Sequence, residues 1–178
     1  KFDLFPPAAS DRVFLPYHIE GTYPLARMEE AVSRVEAYLE ENKERFGIDT
    51  IFEIFAMTEG VFFLSNICRG DFTPCSVGHH GVLMRNRYFD EYVPVAIDAD
   101  TGDIFRDAKT GFAKRVPYEN GGEILVKIPG ERFFPGYWKN EAATDKKYLR
   151  DVFEKGDCYF RTGDALRRDG DGRWYFMD

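Results

Sequence analysis

From residue 92 onward, short apolar runs alternate with turns rich in aspartate and glycine. The runs are Tyr92-Val93-Pro94-Val95-Ala96-Ile97, Glu123–Ile128, Cys158–Thr162 and Arg173–Met177. Between them lie Asp98-Ala99-Asp100-Thr101-Gly102-Asp103, Lys109-Thr110-Gly111 and Asp169-Gly170-Asp171-Gly172. Strand-length runs punctuated in this way predict hairpins in an antiparallel sheet. Pro94 lacks an N–H to give to a neighbour, so its strand is expected at an edge. The aromatic content of 16 %, with 17 Phe and 10 Tyr, suits packed sheet and excludes a disordered chain.

Before residue 48 the pattern differs. Met28, Ala31, Val32, Val35, Tyr38 and Leu39 recur at helical spacing and predict one helix over 25–46. Pro24 stands near its start, and Gly47 is the expected C-terminal stop. Residues 1–24 hold Pro6, Pro7, Pro16, Gly21 and Pro24, which break up any long element. Their apolar content predicts a wrapped arm or a short strand around 12–19. The expected class is therefore α+β and β-rich, with an arm and helix over 1–47 and the sheet over 48–178. A second, short helix is expected over 145–154, capped by Thr144 and ended by Gly156, with Tyr148, Leu149, Val152 and Phe153 as its apolar face. No repeat and no low-complexity linker interrupts the chain.

The net charge of −7 is the wrong sign for a general nucleic-acid binder, and that class is set aside. Cys68, Cys75 and Cys158 are odd in number and form no CxxC, which fits a reducing compartment better than a disulfide scaffold. No apolar run approaches the ~20 residues that span a bilayer. The first residue is Lys1, and the last run ends at Asp178 in strand-like sequence, which is expected of a fragment or processed chain. The histidines carry little. His18 has no partner at ligand spacing, and the adjacent His79-His80 pair is more often a connector than a metal loop, because neighbouring side chains diverge. The 98–103 turn mimics a calcium loop, but position 109 is Lys where that loop needs Glu.

One further stretch ends in polar chemistry. The apolar run Thr50–Met57 reads as a buried strand that stops at Thr58-Glu59-Gly60. Alone this is more often a strand closed by a polar turn than a site. A hydroxyl donor beside a hard oxygen ligand can nonetheless serve one phosphate–metal unit.

Three segments in order change its weight. They are Phe55-Ala56-Met57-Thr58-Glu59-Gly60; Gly122–Val126 followed by Gly136-Tyr137-Trp138-Lys139-Asn140-Glu141-Ala142-Ala143-Thr144; and Tyr159-Phe160-Arg161-Thr162-Gly163-Asp164 followed by Asp171–Asp178. Together they resemble the adenylate-forming superfamily of acyl-CoA synthetases, in the fatty acid transport protein and very-long-chain acyl-CoA synthetase branch. The likeness covers roughly residues 44–178. It implies part of an N-terminal AMP-binding domain with its small β-barrel-like subdomain. It implies that Phe55 lies against the adenine, with Ala56 in place of a usual glycine and Met57 beside it. Thr58 would donate to the α-phosphate, Glu59 would hold Mg2+, and Asp164 would accept from both ribose hydroxyls at a strand end. The family reaction uses ATP to activate a fatty acid and passes the acyl group to CoA. Family members often sit on peroxisomal, endoplasmic-reticulum or plasma membranes, so the resemblance also implies peripheral membrane association. No Gly-rich phosphate loop ending in Lys occurs in the 178 residues, nor does the family's C-terminal lysine. On these grounds the chain by itself is expected to be inactive. The alternative is a β-rich interaction module that keeps a relic of a nucleotide site.

Overall fold

The computed structural model describes residues 25–47, 51–68, 75–79, 91–129 and 133–177. The expected arm or strand at 12–19, His18, His80 and most of the 69–81 loop lie outside the described residues. The first described element is helix α1 (Leu25–Glu41), followed by one turn, α2 (Lys43–Phe46), which Gly47 closes as expected.

Next, β1 (Ile51–Ala56) and β2 (Phe63–Cys68) form an antiparallel hairpin with Phe55 opposite Leu64 and Ile54 opposite Ser65. The second sheet holds β3 (Gly78–His79), β4 (Tyr92–Val95), β5 (Gly122–Lys127), β6 (Tyr148–Arg150), β7 (Cys158–Arg168) and β8 (Arg173–Phe176). Its path is β3-β8-β7-β5-β4, with β6 also paired to β7. Pro94 is on the terminal strand, as its missing N–H requires, and its carbonyl accepts from Val116 N–H at 3.1 Å. The class is α+β and β-rich, as expected.

Both faces of the larger sheet are covered, which explains why its strands read as continuous apolar runs. Side chains alternate along a strand. Thus Ile124 and Val126 join Phe62, Leu64, Phe160, Leu166 and Trp174 in one core. Leu125 joins Val93, Val95, Val152 and Tyr159 in another. Gly122 is required by close approach: any Cβ there would strike the Val95 carbonyl oxygen.

The β1–β2 hairpin corrects one expectation. Phe55 and Met57 pack onto the first core, but Phe52, Ile54 and Phe63 on the opposite face are 52 %, 56 % and 48 % exposed. The strand is buried on one face only, and among the described residues nothing covers the other.

The 145–154 helix is also corrected. The helix there is α3 (Glu141–Asp145), and its cap is Asn140, whose Oδ1 accepts from Ala143 N–H at 3.1 Å. Thr144 lies inside it. Tyr148 and Leu149 belong to β6 and pair with Phe160 and Tyr159. The residues after them are turned by Asp157, whose carboxylate accepts from Val152, Phe153 and Glu154 N–H at 2.5, 2.8 and 3.0 Å. The helical spacing was satisfied by accident, since Tyr148 faces one core and Val152 the other. A carboxylate that collects three N–H groups outcompetes a helix of marginal length.

Glu36 of α1 meets Glu53 of β1, whose Oε2 also accepts from Asn66 Nδ2 at 3.0 Å. Burial, then the hydrogen bond and charge of Glu53, push the Glu36 carboxyl from its ordinary 4.5 up to about 8. A raised acid favours the fold only while protonated. Its contribution is therefore complete below about 4.5 and is lost as pH rises through about 8. Amide-exchange protection of α1 is expected to fall across that range and to become flat in Glu36→Gln. A slope that survives the substitution would contradict this.

Candidate functional site

Thr58, Glu59 and Gly60 are the tip of the β1–β2 hairpin. Met57 N–H donates to the Phe62 carbonyl at 3.2 Å and Gly60 N–H to the Met57 carbonyl at 3.0 Å, which closes the loop. Thr58 Oγ1 donates to Glu59 Oε2 at 3.2 Å. Glu59 Oε1 accepts from the Tyr137 hydroxyl. Burial alone would raise the Glu59 carboxyl. The Tyr137 and Thr58 hydroxyls, its own N–H and the charge of Lys147 outweigh that and hold it below the usual carboxylate range. The same hydrogen bond, with burial, pushes the Tyr137 phenol up to about 12.

Asp164 comes from a different device. Leu125 pairs with Arg161, but Glu123 pairs with Ala165, so Thr162-Gly163-Asp164 opposes the single residue Ile124. This is a β-bulge, and it lies inside β7 rather than at the strand end expected from the sequence. Each residue of Arg161-Thr162-Gly163-Asp164 has a part in it. Gly163 takes a φ of 87°, which a side chain would resist. Thr162 Oγ1 donates to the orphaned Ile124 carbonyl at 2.7 Å and accepts from Asp164 N–H at 3.1 Å. Arg161 grips Glu123 through Nε and Nη2 at 2.7 and 2.9 Å, and Glu123 Oε1 also accepts from Gly163 N–H at 3.2 Å. Burial raises the Asp164 carboxyl; Lys147 opposes this, while Glu123 and Glu59 add to it. Asp164 and Glu59 thus share one electrostatic neighbourhood despite their separation in sequence.

Two participants were not assigned from sequence. Tyr137 is held by a brace built from its own motif: its N–H donates to Thr144 Oγ1 at 2.9 Å, and Thr144 Oγ1 donates to the Asn140 carbonyl at 3.0 Å. Gly136 leaves room for that threonine. Lys147 follows α3, with Nζ donating to the Thr162 carbonyl at 3.0 Å. Both residues line a cleft of about 670 Å3 together with Glu123, Arg161 and Gly163. The available signal was the Gly136–Thr144 motif, which carries Tyr137; nothing local marks Lys147.

The adenine group of residues is less united. Phe55 is half-buried, edge-to-face with Phe62 and Phe176 at 5.8 and 5.0 Å between centroids. Met57 packs beside it on the same core. Ala56 points from the opposite face of β1, across from Phe63. Among the described residues no group of three or more His, Cys, Asp and Glu side chains is placed to hold a metal. His79 stands opposite Arg173, and among the described residues its buried Nδ1 has no hydrogen-bond partner.

No protein-family model matches the chain. Sequence relatives do. The chain is 57 % identical over 137 residues to isopenicillin N epimerase component 1 of Hapsidospora chrysogena, covering 76 % of this chain and 22 % of that protein. It is 38 % identical over 138 residues to a very long-chain fatty acid transport protein of Cochliobolus heterostrophus, covering 76 % and 21 %. It is 35 % identical over 139 residues to a medium/long-chain-fatty-acid–CoA ligase of Mycobacterium tuberculosis, covering 78 % and 21 %. The chain belongs to the fatty acid transport protein and acyl-CoA ligase family. It spans about a fifth of the length of the relatives it matches. The Thr58–Glu59 tip and the Asp164 bulge lie in two of the three segments that carry the sequence likeness.

Proposed function

We propose that this chain supplies the nucleotide-binding part of an acid–CoA ligase. The observation that carries the proposal is that Tyr137, bonded to Glu59, and Lys147, bonded to the Thr162 carbonyl of the bulge that holds Asp164, line one cleft. In this reading Thr58 donates to the α-phosphate and the Asp164 carboxylate accepts from the ribose hydroxyls. Phe55 lies beside the adenine, and Ala56 and Met57 contribute backbone.

Magnesium is commonly held by one or two carboxylates together with substrate phosphates. Glu59 fits that mode: it is held ionised, and among the described residues each oxygen accepts one hydroxyl bond. When bound, the ion would neutralise phosphate charge as pyrophosphate departs. Tyr137 keeps Glu59 oriented, and the Thr162 bonds keep Asp164 in place. In the reaction proposed, the acid's carboxylate oxygen attacks the α-phosphorus and the α–β bridging P–O bond breaks. The CoA sulfur then attacks the acyl carbon, losing its proton and releasing AMP.

The activity belongs to a protein of the relatives' full length. The 178 residues without a Gly-rich phosphate loop are proposed to be inactive alone. The transport-protein relatives support activation of long or very long fatty acids coupled to their uptake at a membrane. Among the described residues, no helix is long and apolar enough to cross one.

The 57 % identity to isopenicillin N epimerase component 1 favours a second reading, in which the acid is isopenicillin N. Supplying the full-length protein with ATP, magnesium, CoA and each acid separates the two. A long-chain acyl thioester is the expected product; a thioester of isopenicillin N alone supports the second reading. Neither product from a folded protein would sink both.

A further inference from the structure

Lys147 is fixed where the two halves of the site meet. Its carbonyl accepts from Arg161 N–H at 2.8 Å, and its Nζ donates to the Thr162 carbonyl at 3.0 Å, on the bulge that presents Asp164. The ammonium lies 5.6 Å from the centre of the Phe160 ring, and a Cβ on Gly163 would sit 4.0 Å from it. An ammonium has three protons to give. Among the described residues Nζ has one hydrogen-bond acceptor, and it forms an ion pair with neither Glu59 nor Asp164. Its charge still acts on both carboxylates.

Lys146 and Arg161 also line the cleft, and of these Arg161 is already engaged. Arg161 is bound to both Glu123 oxygens, to Asp103 Oδ1 at 3.3 Å and to the Gly102 carbonyl at 3.2 Å. Lys147 shares the open cleft with Tyr137 and Gly163. A cation with unused protons, placed between a phosphate-facing tip and a ribose-facing bulge, is positioned for an anion that lies between them.

We propose that Lys147 is a phosphate-contacting residue of this site, donating from Nζ to a non-bridging oxygen of a bound nucleotide's α-phosphate. The assignment rests on the nucleotide reading above. Its role differs from one through Thr162 alone, because a phosphate contact discriminates a nucleotide from a nucleoside.

Isothermal titration of the protein with AMP and with adenosine tests it. The variants are Lys147→Gln, which keeps a donor for the Thr162 carbonyl but removes the charge, and Lys147→Arg, which keeps the charge. Lys147→Gln is expected to weaken AMP about tenfold to a hundredfold, the range for a charge-assisted hydrogen bond, with adenosine unchanged. Lys147→Arg is expected to recover part of the AMP affinity. Equal weakening of AMP and adenosine, or unchanged AMP binding in Lys147→Gln, would overturn the assignment while leaving the nucleotide reading intact. A folded wild-type protein that binds neither AMP nor adenosine would overturn both.

Discussion

Replacing Asp164 by alanine in the full-length protein is expected to lower nucleotide-dependent activity about a hundredfold or more while leaving the fold in place. The proposed bonds from two ribose hydroxyls to one carboxylate set that scale, since a hydrogen bond to a charged group contributes about 1.5–3 kcal/mol. The fold should not suffer. Among the described residues the Asp164 carboxylate has no hydrogen-bond partner, and burial already disfavours its charge. The bulge is held by Thr162 Oγ1, Gly163 and the Asp164 N–H, all of which alanine at 164 leaves intact. The measurement pairs steady-state kinetics with a thermal melt. A lower melting temperature with a matching loss of activity would make Asp164 structural; a normal melt with near-normal activity would remove it from the site.

The second large effect concerns the core beneath the site. Trp174 is fully buried, edge-on to Tyr118 and Tyr92 at 5.9 and 6.4 Å, with the Arg168 guanidinium 5.2 Å from its centre. Its strand partners are Gly78 on one side and Arg168 on the other. Trp174→Ala is expected to cost about 3–5 kcal/mol through lost burial and the cavity left behind. In a chain of this size that lowers the melting temperature by about 10 °C. Trp174→Phe should cost much less. The buried Nε1 has no acceptor among the described residues, so removing that N–H recovers a desolvation cost. Equal losses in the two variants would refute this division.

What was legible from sequence was what local chemistry decides. The turns at 98–103, 109–111 and 169–172 formed as read, because Asp98, Asp107 and Asp169 each bond backbone N–H groups two to four residues on. Gly47 closes α2 for an equally local reason. The errors arise where partners are distant. Tyr148, Leu149, Val152 and Phe153 match a helix, but two cores on opposite faces of a sheet claim them. The outer face of β1 looked like core because Phe52 and Ile54 are apolar, and apolar character does not reveal which side is covered.

The site divides in the same way. Thr58, Glu59 and Asp164 were singled out from motif order, and in the fold the charge of Lys147 acts on both Glu59 and Asp164. Register is set by the partner strand, so the bulge that places Asp164 could not be read from β7 alone. Tyr137 and Lys147 matter only through contacts with Glu59 and Thr162, far away in sequence.

If this site handles a nucleotide for adenylation, the fate of ATP shows it when the full-length protein meets magnesium and its acid. AMP and pyrophosphate, formed only when the acid is present, are the products predicted. ADP and phosphate, or intact ATP from a folded protein offered both acids, would contradict the account.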